Sequence, residues 1–413
     1  MQLKTVSAYN SESEAISLYI HIPFCHKKCP YCDFNTYAGM FGWRKRYIAA
    51  LIREITLLGQ ALQSANGAPK RVCTIFWGGG TPSLLPATDI CDVLHAVRAV
   101  FAVDDSAEIT LEANPGALEY NRLDAAQKCG VNRLSMGAQS FDADLLHWLG
   151  RIHSPDDILT AAAKGNAAGF RSLNFDFMYA LPEQTMAQWQ DTLEKALALQ
   201  AQHLSLYSLI VEPNTPLFDW VQRGDVVTAS EDIAADMYEY ACDRLAAAGY
   251  HHYEISNWAL PGYECEHNIT YWKLRPFIGV GAGAHSFWNN THYSNQTEIA
   301  AYIAATHSEW NPAALGIGSI GGPVVERREL MAEELISETV IMRLRLREGI
   351  PLGWFQNRFQ RALADVFPEL RFLQDNGLLE EDNNDGESII RLTQRGMLLG
   401  NEVFERFLSL QKN

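Results

Sequence analysis

The chain has 413 residues, which is enough for one large domain and a smaller one. Its formal net charge of −16 argues against a nucleic-acid-binding protein, because contacts with phosphates need a basic surface. The first residues contain no apolar core of a secretion signal, and no run of about 18 apolar residues predicts a membrane span. Eight cysteines are too few for a dense disulfide framework, so we expect a cytoplasmic protein with reduced thiols.

Strand and helix patterns alternate along the chain from residue 17 onward. Short apolar runs predict strands at 17–24, 73–80, 108–115, 133–140, 172–181 and 203–210. A stretch with helical spacing of apolar residues follows each of these strands. Six βα units in succession predict an α/β protein with a partial (β/α)6 barrel of the TIM type.

The domain boundaries follow from changes in this pattern. We predict an N-terminal tail at 1–16, the barrel and its extension at 17–288, a glycine-containing linker at 289–328, and a C-terminal domain at 329–413. The last segment has helices followed by a strand hairpin with Asp385-Gly386 as its turn, which predicts a winged-helix-like domain. Its predicted wing is acidic, and this argues against DNA binding.

Several predicted strands have one polar and one apolar face. The polar faces carry Tyr19 and His21, then Glu108, Thr110, Glu112 and Asn114, then Ser135 and Gln139, and finally Asn174 and Asp176. Helices would cover the apolar faces, so the polar faces should line the barrel interior. Barrel interiors are usually filled with branched apolar side chains. This interior is therefore predicted to hold a polar ligand.

Cys25, Cys29 and Cys32 have the spacing C-x3-C-x2-C directly after the first strand. Three buried structural cysteines are one interpretation, but the loop "CHKKCPYC" is polar. Zinc is a second interpretation, with His26 or His21 as a further ligand. A 4Fe–4S cluster fits better, because three thiolates leave one iron open to bind another molecule. The cysteines outside this motif and outside "CEHNITYW" are predicted to be buried, reduced thiols: Cys73, Cys91, Cys129 and Cys242.

This cysteine spacing resembles the cluster motif of the radical S-adenosylmethionine (SAM) superfamily. In that superfamily the open iron binds SAM, and the reduced cluster passes one electron to the sulfonium of SAM. The segments "WGGGTPS", "EANPG", "GAQSF", "GRIH" and "NFDFMYALP" resemble the branch of coproporphyrinogen-dehydrogenase-like proteins. The resemblance implies cofactor contacts from Tyr19, Tyr31, Gly79, Gly80, Thr81, Glu112, Gln139, Arg151 and Asp176.

Within this branch, residues 17–407 resemble both the coproporphyrinogen III dehydrogenases and the HemW family of haem chaperones. Three features favour the HemW family. Phe34 stands where the dehydrogenases have a fourth cysteine, the segment before the first strand is short, and "HNITYW" at 267–272 matches the H-N-x-x-Y-W haem motif. The resemblance implies that His267 binds haem iron, with Cys265 as an alternative thiolate ligand. Nearby His251 and His252 have no recognisable metal-site spacing.

The resemblance as a whole implies a haem chaperone that carries a 4Fe–4S cluster and SAM and delivers haem to haem proteins of the respiratory chain. It also implies that coproporphyrinogen III dehydrogenase activity is absent. That dehydrogenase remains the first alternative, and a radical SAM methyltransferase the second. Peripheral contact with a membrane through the recipient protein, and a homodimer, are both left open.

Overall fold

The computed structural model describes residues 15–64, 66–117, 120–384 and 386–408. Nearly all of the predicted N-terminal tail therefore lies outside the described residues, as does Asp385 of the predicted hairpin turn. In the described part of the chain, no helix is both long and apolar enough to cross a membrane.

A strand–helix alternation forms the first half of the molecule, as the sequence predicts. The strands are β1 (Ile16–Ile22), β2 (Phe24–Cys25), β3 (Tyr37–Ala38), β4 (Arg71–Gly79), β5 (Ala102–Ala113), β6 (Arg133–Gln139), β7 (Ser172–Tyr179) and β8 (His203–Ser208). The helices are α1 (Arg44–Ala61), α2 (Ala87–Val100), α3 (Tyr120–Lys128), α4 (Ala143–Trp148), α5 (Pro155–Ala168), α6 (Met186–Ala198), α7 (Pro216–Gln222) and α8 (Glu231–Ala247). The short strands β2 and β3 pair with each other and bracket the three-cysteine loop.

The next segment extends the same sheet. It contains β9 (His251–Glu254), β10 (Asn257–Ala259), α9 (Glu266–Trp272), β11 (Phe277–Val280), β12 (His285–Trp288), β13 (Thr291–Asn295), α10 (Ile299–His307), α11 (Pro312–Leu315) and β14 (Val324–Glu329). The prediction of a linker at 289–328 is wrong, because β13 pairs with β12 and β14 in an antiparallel ladder. The glycines of this segment lie in the turns between elements. Their presence led to the prediction of a linker in place of the two short strands.

The sheet is open, and this makes the barrel partial. Twelve of the described strands form one sheet in the order β14-β13-β12-β11-β1-β4-β5-β6-β7-β8-β10-β9. The strands from β11 to β8 run parallel to one another, and antiparallel strands continue the sheet at both ends. The carboxyl ends of the parallel strands therefore meet along one rim, where ligands of such sheets usually bind.

The apolar strand faces pack under the helices. Leu18, Ile20 and Ile22 of β1 are buried, as are Leu51 and Ile55 of α1. Burial of this kind contributes about 25 cal/mol per Å2 of apolar surface. It leaves the alternate, polar residues of each strand facing the concave side of the sheet.

The C-terminal segment forms a small domain of helices around a three-stranded sheet. It contains α12 (Ala332–Leu344), β15 (Ile350–Pro351), α13 (Leu352–Phe359), α14 (Leu363–Val366), α15 (Glu369–Asp375), β16 (Leu379–Asn384), β17 (Glu387–Leu392), α16 (Gln394–Leu398) and α17 (Gly400–Arg406). Its strands are ordered β15-β17-β16, and all pairings are antiparallel. This agrees with the winged-helix-like expectation. The ion pair Lys273–Glu348, with 2.9 Å between nitrogen and oxygen, connects the domain to the end of α9.

Cys91 of α2 and Cys129 at the end of α3 form a disulfide, with their Cα atoms 5.5 Å apart. The prediction of reduced thiols is therefore wrong for this pair. The two residues are 38 positions apart in sequence, and only the packing of neighbouring helices brings them together. Cys73 and Cys242 are free thiols, as predicted, although each is only partly buried.

Candidate functional site

The three-cysteine loop lies on the rim formed by the carboxyl ends of the parallel strands. Cys25, Cys29 and Cys32 are free and partly buried, and all three line one cavity of about 340 Å3. The backbone N–H of Cys32 donates to the carbonyl of Cys29 over 3.2 Å, which closes the second half of the loop into a turn. The fold therefore directs three thiols into one space.

The surroundings of these three thiols are compatible with a role as ligands of a metal centre. Burial is the main cause that raises the pKa of Cys25 and of Cys32, so both thiols are protonated at neutral pH in the absence of a metal. The guanidinium of Arg151 donates a hydrogen bond from Nη1 to the Cys29 sulfur over 3.6 Å. A bound metal centre would deprotonate all three thiols and replace the solvation that burial removes.

The arrangement fits a cluster better than a single zinc ion. Within the described ranges, no three side chains of His, Cys, Asp or Glu converge on one ion position. In a 4Fe–4S cluster each thiolate binds a different iron, so the sulfur atoms need not converge on one point. His21 is also unsuited as a zinc ligand, because its Nε2 bonds the carbonyl of Asn35 over 2.9 Å. His26 is exposed.

The cavity of about 340 Å3 that the three cysteines line, called the cluster cavity below, also contains most of the residues for which the sequence resemblance implied SAM contacts. In addition to the cysteines, its walls include Tyr31, Gly79, Gly80, Thr81, Glu112, Gln139, Arg151 and Asp176. Tyr19 lies in an adjoining cavity of about 630 Å3, which also borders Gly79, Glu112 and Asp176. The alternation of polar residues thus correctly predicted a polar interior.

The glycine run has a structural role that the sequence did not reveal. Gly79 has φ +107°, and a Cβ there would lie 2.4 Å from the ring of His21. A Cβ on Gly80 would lie 2.6 Å from the carbonyl oxygen of Phe24. The backbone N–H of Thr81 donates to this same oxygen over 2.8 Å. The two glycines therefore allow the end of β4 to lie close to the start of the cysteine loop. They also line the cavity of about 340 Å3.

Glu112 and Asp176 are acidic residues that line both cavities. Burial, together with the negative charge of Asp176, raises the pKa of Glu112 to about 8. Burial also raises the pKa of Asp176, whose carboxylate accepts a hydrogen bond from Asn174 over 2.7 Å. A cationic ligand would favour the ionised form of both groups. The ammonium and sulfonium of SAM are such cations, so the residues present fit this cofactor, and the carboxylate of SAM would suit Arg151.

Arg151 is fixed by the barrel rather than free in the cavity. Its Nη2 donates to the side chain of Asn114 and to the carbonyl of Gly137, over 2.7 Å in each case. Tyr31 lies beside it in the cysteine loop, where burial raises the pKa of its hydroxyl. The guanidinium is therefore held in place between the cysteine loop, β5 and β6.

The second cavity has an aromatic wall formed around His267. The His267 ring stacks on Phe76 with 5.1 Å between ring centroids, and Tyr271 and Phe277 continue the wall. His267 is 1% exposed, and both of its ring nitrogens have partners: Thr74 at 2.7 Å from Nδ1 and Tyr271 at 2.7 Å from Nε2. Burial, with a contribution from Arg133, lowers the pKa of His267 to about 3, so the ring is neutral.

The other histidines and Cys265 are less suited to ligation. Cys265 is fully buried and donates to the carboxylate of Glu108 over 3.4 Å, and burial raises the pKa of its thiol well above the usual range. His252 stacks on Trp258 with 4.2 Å between ring centroids, while His251 is exposed. Trp272 does not border either cavity, because Arg345 of the C-terminal domain covers its ring at 4.3 Å.

Sequence reasoning did not name several residues that line these cavities, among them Arg133, Ser205 and Tyr207. A signal was present for each of them. Arg133 has the same strand parity as Ser135, and Ser205 and Tyr207 alternate along β8 in the same manner. Extending the alternation to whole strands would have identified all three.

The half-barrel and its three-cysteine loop are those of a radical SAM protein. The family model described as "Radical SAM superfamily" matches residues 19–196, and that described as "HemN C-terminal domain" matches residues 330–399. The heme chaperone HemW of Bacillus subtilis is 36% identical over 394 residues, covering 95% of this chain and 99% of the relative. That of Escherichia coli is 36% identical over 410 residues, covering 95% and 98%. The chain belongs to the HemW family.

A solved structure shows the same fold over nearly the whole chain. Coproporphyrinogen III oxidase (HemN) from Escherichia coli superposes with a TM-score of 0.80, covering 97% of this chain and 91% of that one. The two sequences are 24% identical, so this similarity establishes the architecture and not the reaction.

Proposed function

We propose that this protein is a haem chaperone, which binds haem on a radical SAM scaffold and delivers it to haem proteins of the respiratory chain. The observation that carries the proposal is the position of His267. This histidine of the "HNITYW" motif lies on the aromatic wall of a cavity that directly adjoins the cluster cavity. The relatives named as heme chaperones, at 34–36% identity over most of the chain, support it.

The chemistry of His267 is suited to haem iron. A neutral imidazole is the form that binds iron, and His267 is neutral throughout the physiological pH range. Coordination through Nε2 would replace the hydrogen bond to the Tyr271 hydroxyl, so we propose that Tyr271 rotates away when haem binds. Phe76 and Phe277 would then offer apolar surface to the porphyrin face.

We also propose that Cys25, Cys29 and Cys32 hold a 4Fe–4S cluster and that SAM binds between the cluster and Glu112. When bound, the cluster supplies an open iron and a one-electron donor. Arg151 would orient the carboxylate of SAM, and the acidic pair would receive its cationic groups. Haem and SAM would be neighbours, because the two cavities share Glu112 and Asp176 as walls.

Decarboxylation of coproporphyrinogen III is the principal alternative function. Phe34, at the position of the fourth cysteine of the dehydrogenases, is 63% exposed and borders both cavities. A phenyl ring there cannot donate a proton or bind iron, whereas a thiol can do both. We therefore propose a carrier without this activity, acting in the cytoplasm and meeting the membrane through its recipient protein.

Titration of the purified protein with haem tests the proposal. We expect saturable binding of about one haem per chain and a changed Soret spectrum in His267→Ala, with weaker binding. The aromatic wall should leave some association in that variant, because apolar burial contributes about 25 cal/mol per Å2 independently of ligation. Cys265→Ser is the matched control. A spectral change in Cys265→Ser but not in His267→Ala would identify the thiolate as ligand, and no saturable binding by the wild type would exclude the chaperone function.

A further inference from the structure

One arginine that lines the second cavity has no role in the chemistry described so far. Arg133 begins β6 and is 3% exposed, yet it borders the cavity of about 630 Å3. Within the described part of the chain, its buried Nε has no hydrogen-bond partner. A buried donor without a hydrogen-bond partner costs stability in general, so such a donor beside a cavity is a candidate for a ligand contact.

The nearby carboxylates are committed to other groups. Glu108 accepts hydrogen bonds from the backbone N–H groups of Glu266 and His267, over 3.2 and 3.1 Å. Asp176 accepts from Asn174 over 2.7 Å. Both acids act on the guanidinium of Arg133 only through longer-range electrostatics. Arg133 therefore lines the cavity without a hydrogen-bonded or ion-paired carboxylate among the described residues.

The position of Arg133 separates it from the cofactor. In the sheet register Ser135 is paired with Glu112, whereas Arg133 is paired with Thr110. Arg133 is thus two residues, or about 7 Å, deeper along the strand than the acidic wall of the cofactor cavity. Ser135 borders both cavities, but Arg133 borders only the deeper one. The same deep region contains His267 and its aromatic neighbours.

We propose that Arg133 binds a propionate carboxylate of the haem cargo and so fixes the orientation of the porphyrin against the wall formed by Phe76 and Phe277. This proposal rests on the proposed haem-carrying function. The planar guanidinium provides paired donors that match a carboxylate, and a desolvated cavity strengthens the contact. A flat aromatic ligand with a carboxylate on a short side chain could pack against the apolar wall and pair with the guanidinium of Arg133 at the same time. SAM also has a carboxylate, and the experiment must distinguish the two.

The experiment compares haem with its dimethyl ester, in which the propionates have no charge. Affinities of both ligands, and of SAM, are measured for the cluster-loaded wild type, Arg133→Met and Arg133→Lys. We expect the wild type to prefer haem by roughly tenfold or more, the value of a charge-assisted hydrogen bond. Arg133→Met should lose this preference through weaker haem binding alone, with unchanged affinities for the ester and for SAM. Arg133→Lys should keep part of the preference, because an ammonium retains the charge without the paired geometry.

A stability measurement controls for a structural role. Arg343 is also buried, but its guanidinium stacks 3.7 Å from the Trp354 ring and lies 3.8 Å from the Glu348 carboxylate. Arg343→Met should therefore lower the free energy of unfolding and leave the ligand preference unchanged. In contrast, Arg133→Met should lower the free energy of unfolding less than Arg343→Met, because the charge of Arg133 interacts with Glu108 and Asp176 only over longer distances.

Four results would overturn the assignment. Full retention of the haem preference in Arg133→Met would exclude the propionate contact while leaving the chaperone function intact. A loss of SAM affinity with an unchanged haem preference would assign the arginine to SAM. A loss of stability like that of Arg343→Met, with ester binding equally weakened, would make Arg133 a structural residue. Absence of saturable haem binding in the wild type would remove the proposed function together with this inference.

Discussion

The carboxylate of Glu108 on β5 accepts a hydrogen bond from the backbone N–H of His267 over 3.1 Å. The same carboxylate accepts the N–H of Glu266 over 3.2 Å, so a barrel strand satisfies the first amides of the helix that carries the haem motif. A carboxylate at a helix N-terminus also interacts favourably with the helix dipole. The orientation of His267 in the cavity therefore depends on a residue outside the motif.

Replacement of Glu108 by Ala should loosen α9 and weaken haem binding. The change leaves the N–H groups of Glu266 and His267 and the Cys265 thiol without their acceptor, which costs roughly 1 to 3 kcal/mol of stability for each group that is buried. Glu108→Gln should be milder, because one oxygen remains to accept. Thermal unfolding and haem titration of both variants check this. Equal haem affinity in the wild type and in Glu108→Ala would show that the cap does not position the motif.

Removal of any one cluster cysteine should abolish the iron–sulfur cluster without unfolding the barrel. The three side chains lie on a rim loop and not in the apolar core, so Cys29→Ala should keep the circular dichroism spectrum of the wild type. Iron and sulfide content after anaerobic reconstitution is the measurement, with Cys242→Ala as the matched control. Full cluster iron in the triple variant of Cys25, Cys29 and Cys32 would contradict the assignment.

Replacement of Arg151 by Met should weaken SAM binding while the cluster remains. Loss of a charge-assisted contact with the carboxylate of SAM predicts a decrease of roughly tenfold or more in affinity. Calorimetric titration with SAM on the reconstituted protein gives the value. Arg244→Met removes a surface arginine that pairs with Glu194, and it should bind SAM like the wild type. A decrease of similar size in both variants would refute a specific role.

Glu54 predicts an unusual dependence of stability on pH. Its carboxyl group is 1% exposed and accepts hydrogen bonds from Gly281, Asn295 and Tyr302, and burial raises its pKa to about 7. The folded state therefore binds one more proton than the unfolded state between about pH 4.5 and pH 7. From this group alone, stability should be greatest below pH 4.5 and decrease by about 3 kcal/mol as the pH rises to 7.

Chemical denaturation of wild type and Glu54→Gln across this pH range tests the contribution. The glutamine variant cannot titrate, so the difference in unfolding free energy between the two proteins should change with pH in the direction just given. Glu309→Gln, at an exposed position, should follow the wild type at every pH. A constant difference between wild type and Glu54→Gln from pH 4.5 to 7 would show that Glu54 remains ionised in the folded protein.

The reduced, reconstituted protein should not convert coproporphyrinogen III to protoporphyrinogen IX. The expectation rests on Phe34, whose side chain at the mouth of both cavities has no acid–base or iron-binding chemistry. Product analysis under anaerobic conditions is the test, with haem binding measured on the same sample. Product formation that increases in proportion to protein concentration would establish the dehydrogenase alternative.

The sequence by itself determined the alternation of strands and helices, the polar barrel interior and the three-cysteine loop. These features follow from local spacing: a period of two places Glu112 and Asp176 each on the polar face of its own strand, and C-x3-C-x2-C confines three thiols to one short loop. The tertiary structure decided what depends on distant residues. It placed strands within the predicted linker, because antiparallel pairing satisfies their backbone groups. It joined Cys91 to Cys129, buried His267 between Thr74 and Tyr271, and left Arg133 facing a cavity, since burial and partnership arise only when remote segments pack together.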